Sequence, residues 1–119
     1  MKGIILISSL LISNLCFGTD WVEVQNKEGN SVQVDMDSVQ SISNQKKLAW
    51  MRAMKNEDGD LIKSTMHVEV DCSKKTFKNK ELIIKTNEEV VFQNSKMNNK
   101  TYNPKPDSGA WLILKTLCT

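Results

Sequence analysis

Residues 65–72, TMHVEVDC, decide the fold of this chain. The apolar side chains of Met66, Val68 and Val70 alternate with polar ones along this stretch. An alternation with a period of two is typical of a strand that has one face on a core and the other in water. Since Cys72 continues the apolar set, the stretch predicts a half-buried strand that carries a cysteine toward the core.

The closing segment, residues 108–118 (SGAWLILKTLC), contains the second cysteine that matters for the fold. Trp111, Leu114, Leu117 and Cys118 lie at offsets of three, six and seven, which is the apolar stripe of a helix. Ser108 is placed to cap this helix, with Asp107 next to its positive end. We therefore expect a C-terminal helix whose Cys118 faces the core.

Residues 1–18 have the pattern of a cleavable signal peptide. Lys2 precedes an apolar run over residues 3–15, and Cys16, Phe17 and Gly18 follow it, so we expect cleavage after Gly18. A membrane anchor is the alternative, but the uncharged run is short for a span and leads directly into strand-like sequence. A lipoprotein is disfavoured because Leu15 precedes Cys16 and Ser13 replaces the usual leucine. We expect no stable membrane span after processing.

Removal of the leader leaves Cys72 and Cys118, and an even pair in a small exported chain predicts a disulfide. This bridge would close a loop of 46 residues, for which loop-closure entropy gives about 4 kcal/mol. Without Lys2, the mature chain has 15 of the 16 basic residues and 14 acidic ones. This nearly neutral net charge argues against a general nucleic-acid binder. At 119 residues in all, the chain predicts one domain over residues 19–119.

The remaining sequence predicts an antiparallel meander of about six strands, and with the helix an α+β fold. Residues 20–25 and 31–35 alternate around the turn at 26–30, and further strands are expected at 46–55, 61–72, 77–86 and 90–93. Residues 46–55 also fit a helix, but the turn at 56–60 that follows favours a strand.

Two segments between the predicted strands have a different pattern. Residues 35–43 place Met36, Val39 and Ile42 three apart, which predicts one or two turns of helix or irregular chain. Residues 96–106 are polar and contain two prolines, which predicts a loop.

The order of these features resembles the surface-adhesin protein E family of small exported bacterial proteins. The residues that carry the resemblance are Trp21, Val34-Asp35, Ser38-Val39, Trp50, Val70-Asp71-Cys72 and Leu117-Cys118. The resemblance implies a six-stranded antiparallel sheet with a C-terminal helix fastened to it by the disulfide. It also implies a homodimer and binding to host matrix or serum proteins, since the family's named member is an outer-membrane lipoprotein that binds vitronectin, laminin and plasminogen. Many of its relatives look like periplasmic proteins.

The sequence offers little for catalysis or for a metal. His67 is the single histidine, and with both mature cysteines oxidised no Cys and His pair remains. Asp35 and Asp37 are spaced like two oxygen ligands, but no glycine or terminal glutamate completes a calcium loop. We expect no cofactor, no metal site and no enzymatic activity, with His67 as a plain surface residue.

The methionines and the three tryptophans, Trp21, Trp50 and Trp111, are expected in the core, with the indole groups near its edge, where they find hydrogen-bond partners. The remaining candidate for binding is a cluster of lysines just after the disulfide strand. It consists of Lys74, Lys75, Lys78 and Lys80. Four positive charges this close predict contact with an anionic partner, while the alternative is a solvated turn and an edge strand protected from aggregation.

Together these features predict an exported, disulfide-stabilised binding module of the periplasm or outer cell surface. The family resemblance implies that its role is adhesive. The alternative is a periplasmic envelope protein without an adhesive role.

Overall fold

The structure, a computed structural model, describes residues 19–97 and 100–119. Within them a seven-stranded antiparallel sheet is followed by one helix. The elements in chain order are β1 (Trp21–Lys27), β2 (Asn30–Ser41), β3 (Lys46–Glu57), β4 (Asp60–Asp71), β5 (Thr76–Thr86), β6 (Glu89–Asn94), β7 (Thr101–Tyr102) and α1 (Gly109–Leu117). The predicted α+β meander with a C-terminal helix is confirmed. The predicted signal peptide, residues 1–18, lies outside the described residues.

Strands β1 to β6 lie side by side in chain order, and tight hairpin turns fix their register. Asp58 and Gly59 both have positive φ, 52° and 87°, which is the backbone of the two-residue turn that suits twisted antiparallel strands. The ladder between β3 and β4 runs unbroken from Lys46 opposite Asp71 to Glu57 opposite Asp60. The turn therefore sets the face of every side chain along both strands.

One face of the sheet, here called the inner face, packs against α1. Val68 and Val70 are fully buried on it and Met66 is packed against the same cluster, as the alternation in residues 65–72 predicts. The buried apolar core consists of Val34, Ala49, Met51, Val68, Val70, Phe77, Ile113, Leu114 and Leu117. Because α1 has only nine residues, it covers one end of this face, and Ile62 and Ile84 at the other end stay half-buried.

One disulfide and one hydrogen bond attach α1 to the sheet, and a further hydrogen bond caps the helix. The Cys72–Cys118 disulfide has a Cα–Cα distance of 5.5 Å, which confirms the predicted bridge. Ser108 caps the helix, its Oγ accepting a hydrogen bond from the backbone N of Trp111 at 3.2 Å. At the other end, Lys47 Nζ donates to the carbonyl of Leu117 at 2.6 Å, a favourable place for a cation.

Of the two alternatives for residues 35–43, the helical turn is wrong, because β2 continues through Ser41. The irregular chain is found within the strand, where the register with β3 shifts between Asp35 and Gln40. Ser38 supports the irregular stretch: its Oγ accepts from Trp50 N at 2.9 Å and donates to Asp35 O at 2.7 Å. The extra residues turn Met36 and Val39 toward the core. A β-bulge thus produces the spacing of three that resembles a helix.

The loop predicted over residues 96–106 also needs a correction. Thr101 and Tyr102 form β7 and pair with Lys78 and Phe77 at the start of β5. Tyr102 packs against Phe77 with ring centroids 5.7 Å apart. This short strand lies beside the part of β5 that β6 leaves unpaired.

Candidate binding surface

The outer face is the side of the sheet opposite α1, and it carries large, partly exposed side chains. In β3, Trp50 alternates with Ala49 and Met51, both buried on the inner face. The expectation that Trp50 is a core residue is therefore wrong. Trp21 also lies on the outer face, opposite Asp35 in the ladder between β1 and β2.

Four half-buried residues of the outer face form two stacked pairs, and we call them the aromatic patch: Trp21, Trp50, Arg52 and His67. Trp50 and His67 are cross-strand neighbours, and their rings stack with centroids 4.7 Å apart. The guanidinium of Arg52 lies 4.1 Å from the ring centroid of Trp21, a cation–π contact. His67 thus lies on the non-core face of β4, as the alternation predicts, and it is half-buried there against an indole.

Hydrogen bonds hold the aromatic patch in place. Arg52 Nε donates to Oε1 of Gln33 at 2.7 Å, which fixes the guanidinium over Trp21. Asp35 is buried, and its Oδ1 accepts from the backbone N of Asp20 at 2.8 Å and of Asp37 at 3.0 Å. The first of these contacts pins the start of β1, and with it Trp21, against β2.

The environment of the aromatic patch changes the acidity of its two basic groups. Desolvation lowers the pKa of His67 below its ordinary 6.5, and Lys80 acts in the same direction, while Glu81 opposes them. Desolvation also lowers the pKa of Arg52, against the opposing attraction of Asp35. At neutral pH the patch therefore presents a neutral imidazole and, since a guanidinium stays protonated, one fixed positive charge.

The structure does not bring the four predicted lysines to a single point. Lys78 and Lys80 lie on the outer face and share one carboxylate, with Nζ atoms 3.8 and 3.6 Å from the oxygens of Glu69. Lys74 borders the same end of the outer face. Lys75 instead lines a cleft beside α1, on the other side of the sheet.

Two carboxylates partly neutralise the positive charge at this end of the outer face. Glu69 is largely buried between its two lysine partners. Asp71 Oδ1 accepts from the backbone N of Ser73 and Lys74 and from Ser73 Oγ, at 2.8 to 3.1 Å. These bonds lower the pKa of Asp71, and the bond from the backbone N of Lys74 has the largest effect. The carboxylates order the turn and leave Lys46 and Lys74 beside it as positive charges.

The acidic residues considered as metal ligands serve other purposes. Asp35 is occupied by backbone N–H groups, and Asp37 donates its own backbone N–H to Asp35. Within residues 19–97 and 100–119, no three His, Cys, Asp or Glu side chains lie close enough together to hold a metal ion. No helix in that same part of the chain has the length and apolar content that a membrane crossing requires.

The sequence itself indicates that Trp50 lies on the exposed side of β3. Trp50 and Arg52 share one side of a strand, and an arginine rarely faces a core. That pairing assigns the indole to the exposed side as well.

Comparison with known proteins gives one match. The family model described as surface-adhesin protein E matches residues 21–119, which is all of the chain from the start of β1 onward. No curated protein matches the chain, and no solved structure does. Every residue of the aromatic patch and both bridged cysteines lie within the matched range.

Proposed function

Because the chain belongs to the surface-adhesin protein E family, we propose that it is an exported binding module that contacts extracellular-matrix or serum proteins of a host. Membership of this family supports an adhesin-like role and a protein that is not an enzyme. The partners to test are vitronectin, laminin and plasminogen, which the family's named member binds.

The aromatic patch is the observation that carries this proposal. Tryptophan and arginine are enriched among the residues that supply most of the energy of protein interfaces. Trp50 and Arg52 are already held by His67, Trp21 and Gln33, so they lose little conformational freedom when a partner docks. Preorganised side chains of this kind raise affinity by reducing the entropic cost of binding.

We assign the lysines of the outer face a supporting role. Lys74, Lys78 and Lys80 flank the aromatic patch at one end of the sheet, with Glu69 neutralising part of their charge. Exposed charges at the rim of an interface chiefly accelerate the encounter with an oppositely charged partner and make it sensitive to salt. An acidic surface on the host protein is the complement to this rim.

We also propose that the protein forms a homodimer through β6. This strand pairs with β5 on one side only among the described residues. Its Val90, Val91 and Phe92 side chains are 50%, 59% and 47% exposed. An apolar edge strand with unpaired backbone groups is a template for pairing with another strand, and a second copy satisfies both the backbone and the side chains.

Binding of the oxidised protein to immobilised vitronectin, laminin and plasminogen tests the adhesive function. The same protein, reduced, alkylated and heated above its melting temperature before the assay, serves as the control for adhesion by unfolded chain. We expect at least one of the three to bind the oxidised form and not the control. Absence of binding to all three would remove the adhesive role.

The alternative function is that of a periplasmic envelope protein. Protease treatment of intact cells, compared with cells whose outer membrane has been opened, separates the two. A surface adhesin is digested on intact cells. Protection until the outer membrane is opened would favour the envelope protein.

A further inference from the structure

The Cys72–Cys118 disulfide forms part of the wall of a cleft of about 470 Å³ between α1 and the turn that joins β4 to β5. We call it the disulfide cleft. Trp111 and Leu114 line it from the helix, and Pro104 lines it from the loop before the helix. Its volume falls within the roughly 300 to 1,000 Å³ usual for small-ligand sites, which are mostly apolar with a few polar groups.

Two lysines give the disulfide cleft its charge. Lys75 lines it from the β4–β5 turn and Lys115 from α1, and no Asp or Glu side chain is among its lining residues. Thr119 also lines the cleft, and its α-carboxylate offsets one of the two positive charges. Neither lysine has a carboxylate within 4.0 Å among residues 19–97 and 100–119. Lys115 Nζ lies 4.6 Å from the ring centroid of Trp111. Cations that line an apolar cleft favour a ligand combining one anionic group with an apolar body.

The backbone at Lys75 supplies a second observation. Lys75 has a φ of 57°, in the left-handed region that favours glycine or asparagine over a long side chain. Asn103 stabilises this conformation, its Nδ2 donating to the carbonyls of Lys75 at 2.9 Å and Lys74 at 3.3 Å. Five other non-glycine residues, all in turns, also have positive φ, so this conformation belongs to the turn, and the turn places Lys75 among the residues that line the disulfide cleft.

We propose that the disulfide cleft binds a small organic monocarboxylate. Its aromatic or branched aliphatic group packs between the disulfide and Trp111, and its carboxylate pairs with Lys75 and Lys115. The site lies across the sheet from the aromatic patch, so this proposal does not depend on the adhesive function.

Titration of the ¹⁵N-labelled, oxidised protein with 3-phenylpropionate, followed by NMR, tests this site. Chemical-shift changes should centre on Lys75, Lys115 and the indole N–H of Trp111. The uncharged analogue 3-phenylpropanamide has nearly the same shape and should bind at least about tenfold more weakly. Equal affinity for the acid and the amide would overturn the proposal, as would shift changes confined to the outer face.

Two variants and a control separate ligand contact from folding. Lys75→Gly removes the cation and relieves the left-handed strain, so affinity should fall about fivefold or more while the melting temperature stays the same or rises. Lys115→Gln should weaken binding to a similar degree. Lys55→Gln removes an exposed lysine at the far end of β3 and should change nothing. Wild-type affinity in both cleft variants contradicts the proposal.

A peptide with a free C-terminal phenylalanine, N-acetyl-Ala-Ala-Phe, completes the design. Binding of this peptide without binding of 3-phenylpropionate would assign the disulfide cleft to a protein C-terminus and overturn the small-molecule ligand. Binding of 3-phenylpropionate with at least equal affinity supports the proposal as stated.

Discussion

Trp50 and His67 stack on neighbouring strands of the outer face, with ring centroids 4.7 Å apart and an angle of 18° between the ring planes. Desolvation lowers the pKa of His67 below 6.5, so an NMR titration of this single histidine should give a midpoint below that value. Trp50→Leu should return the midpoint toward 6.5, whereas Trp111→Phe, on the other side of the sheet, should leave it unchanged. A midpoint above 6.5 would mean that attraction between the indole and the imidazolium outweighs desolvation.

The same shift gives stability a defined dependence on pH. Well above pH 6.5, His67 is neutral in both the folded and the unfolded chain. As pH falls below 6.5 the unfolded chain takes up the proton first, so the free energy of unfolding decreases until pH passes the folded pKa. His67→Gln should flatten this part of the curve, with Lys80 and Glu81 left in place. An unchanged slope would show that another group titrates in this window.

Loss of the Cys72–Cys118 bridge should destabilise the protein steeply. Cys72→Ser or Cys118→Ser restores the entropy of a 46-residue loop, about 4 kcal/mol, which lowers the melting temperature by roughly 15 °C or more. Reduction of the wild-type protein should bring it to the level of the double Cys72→Ser, Cys118→Ser variant. A melting temperature shared by wild type and variants would contradict the stabilising role of the bridge.

Ser38 is expected to be the residue that makes the β2 irregularity possible. Ser38→Ala leaves Trp50 N without its 2.9 Å partner and should cost about 1 to 3 kcal/mol in the free energy of unfolding. Ser43→Ala, at an exposed position in the next turn, should stay within about 0.5 kcal/mol of wild type. Urea denaturation measures both, and equal values would remove the role given to Ser38.

Self-association through β6 can be tested with one charge. Val91→Lys places a lysine on the apolar edge and should shift the protein toward monomer in sedimentation velocity, because charged edge strands resist pairing. Ile42→Lys makes the same apolar-to-charged change at an exposed position away from β6 and should leave the dimer intact. A dimer that survives Val91→Lys would rule out this edge as the interface.

Much of the fold could be predicted from local sequence, because the alternation in residues 65–72 and the turn at Asp58 and Gly59 act over short distances. In β3 the assignment of faces is harder, since Trp50 lies on one side of the strand and Ala49 and Met51 lie on the other, and all three are apolar. Alternation in this strand therefore does not show which side the helix covers. The β2 bulge is hard to predict because its residue spacing resembles that of a helix. The hydrogen bonds by which Ser38 stabilises the bulge, to Trp50 and Asp35, form only in the folded sheet.

The candidate sites were harder to predict than the fold. Proximity in sequence suggested that Lys74, Lys75, Lys78 and Lys80 act together. The left-handed backbone at Lys75 and the pleat of β5 instead divide them between the disulfide cleft and the outer face. The disulfide cleft itself brings together residues from the β4–β5 turn, the loop at Pro104 and α1, a juxtaposition that exists only in the folded chain.

The most direct measurement is the affinity of Arg52→Gln for whichever of vitronectin, laminin and plasminogen the wild-type protein binds. Lys55→Gln, on the same strand but facing the other side of the sheet, is the matched control, since it removes one positive charge outside the aromatic patch. We predict that Arg52→Gln lowers affinity at least about tenfold while Lys55→Gln does not, at equal melting temperatures. Equal affinities for both variants and wild type would contradict binding through the outer face.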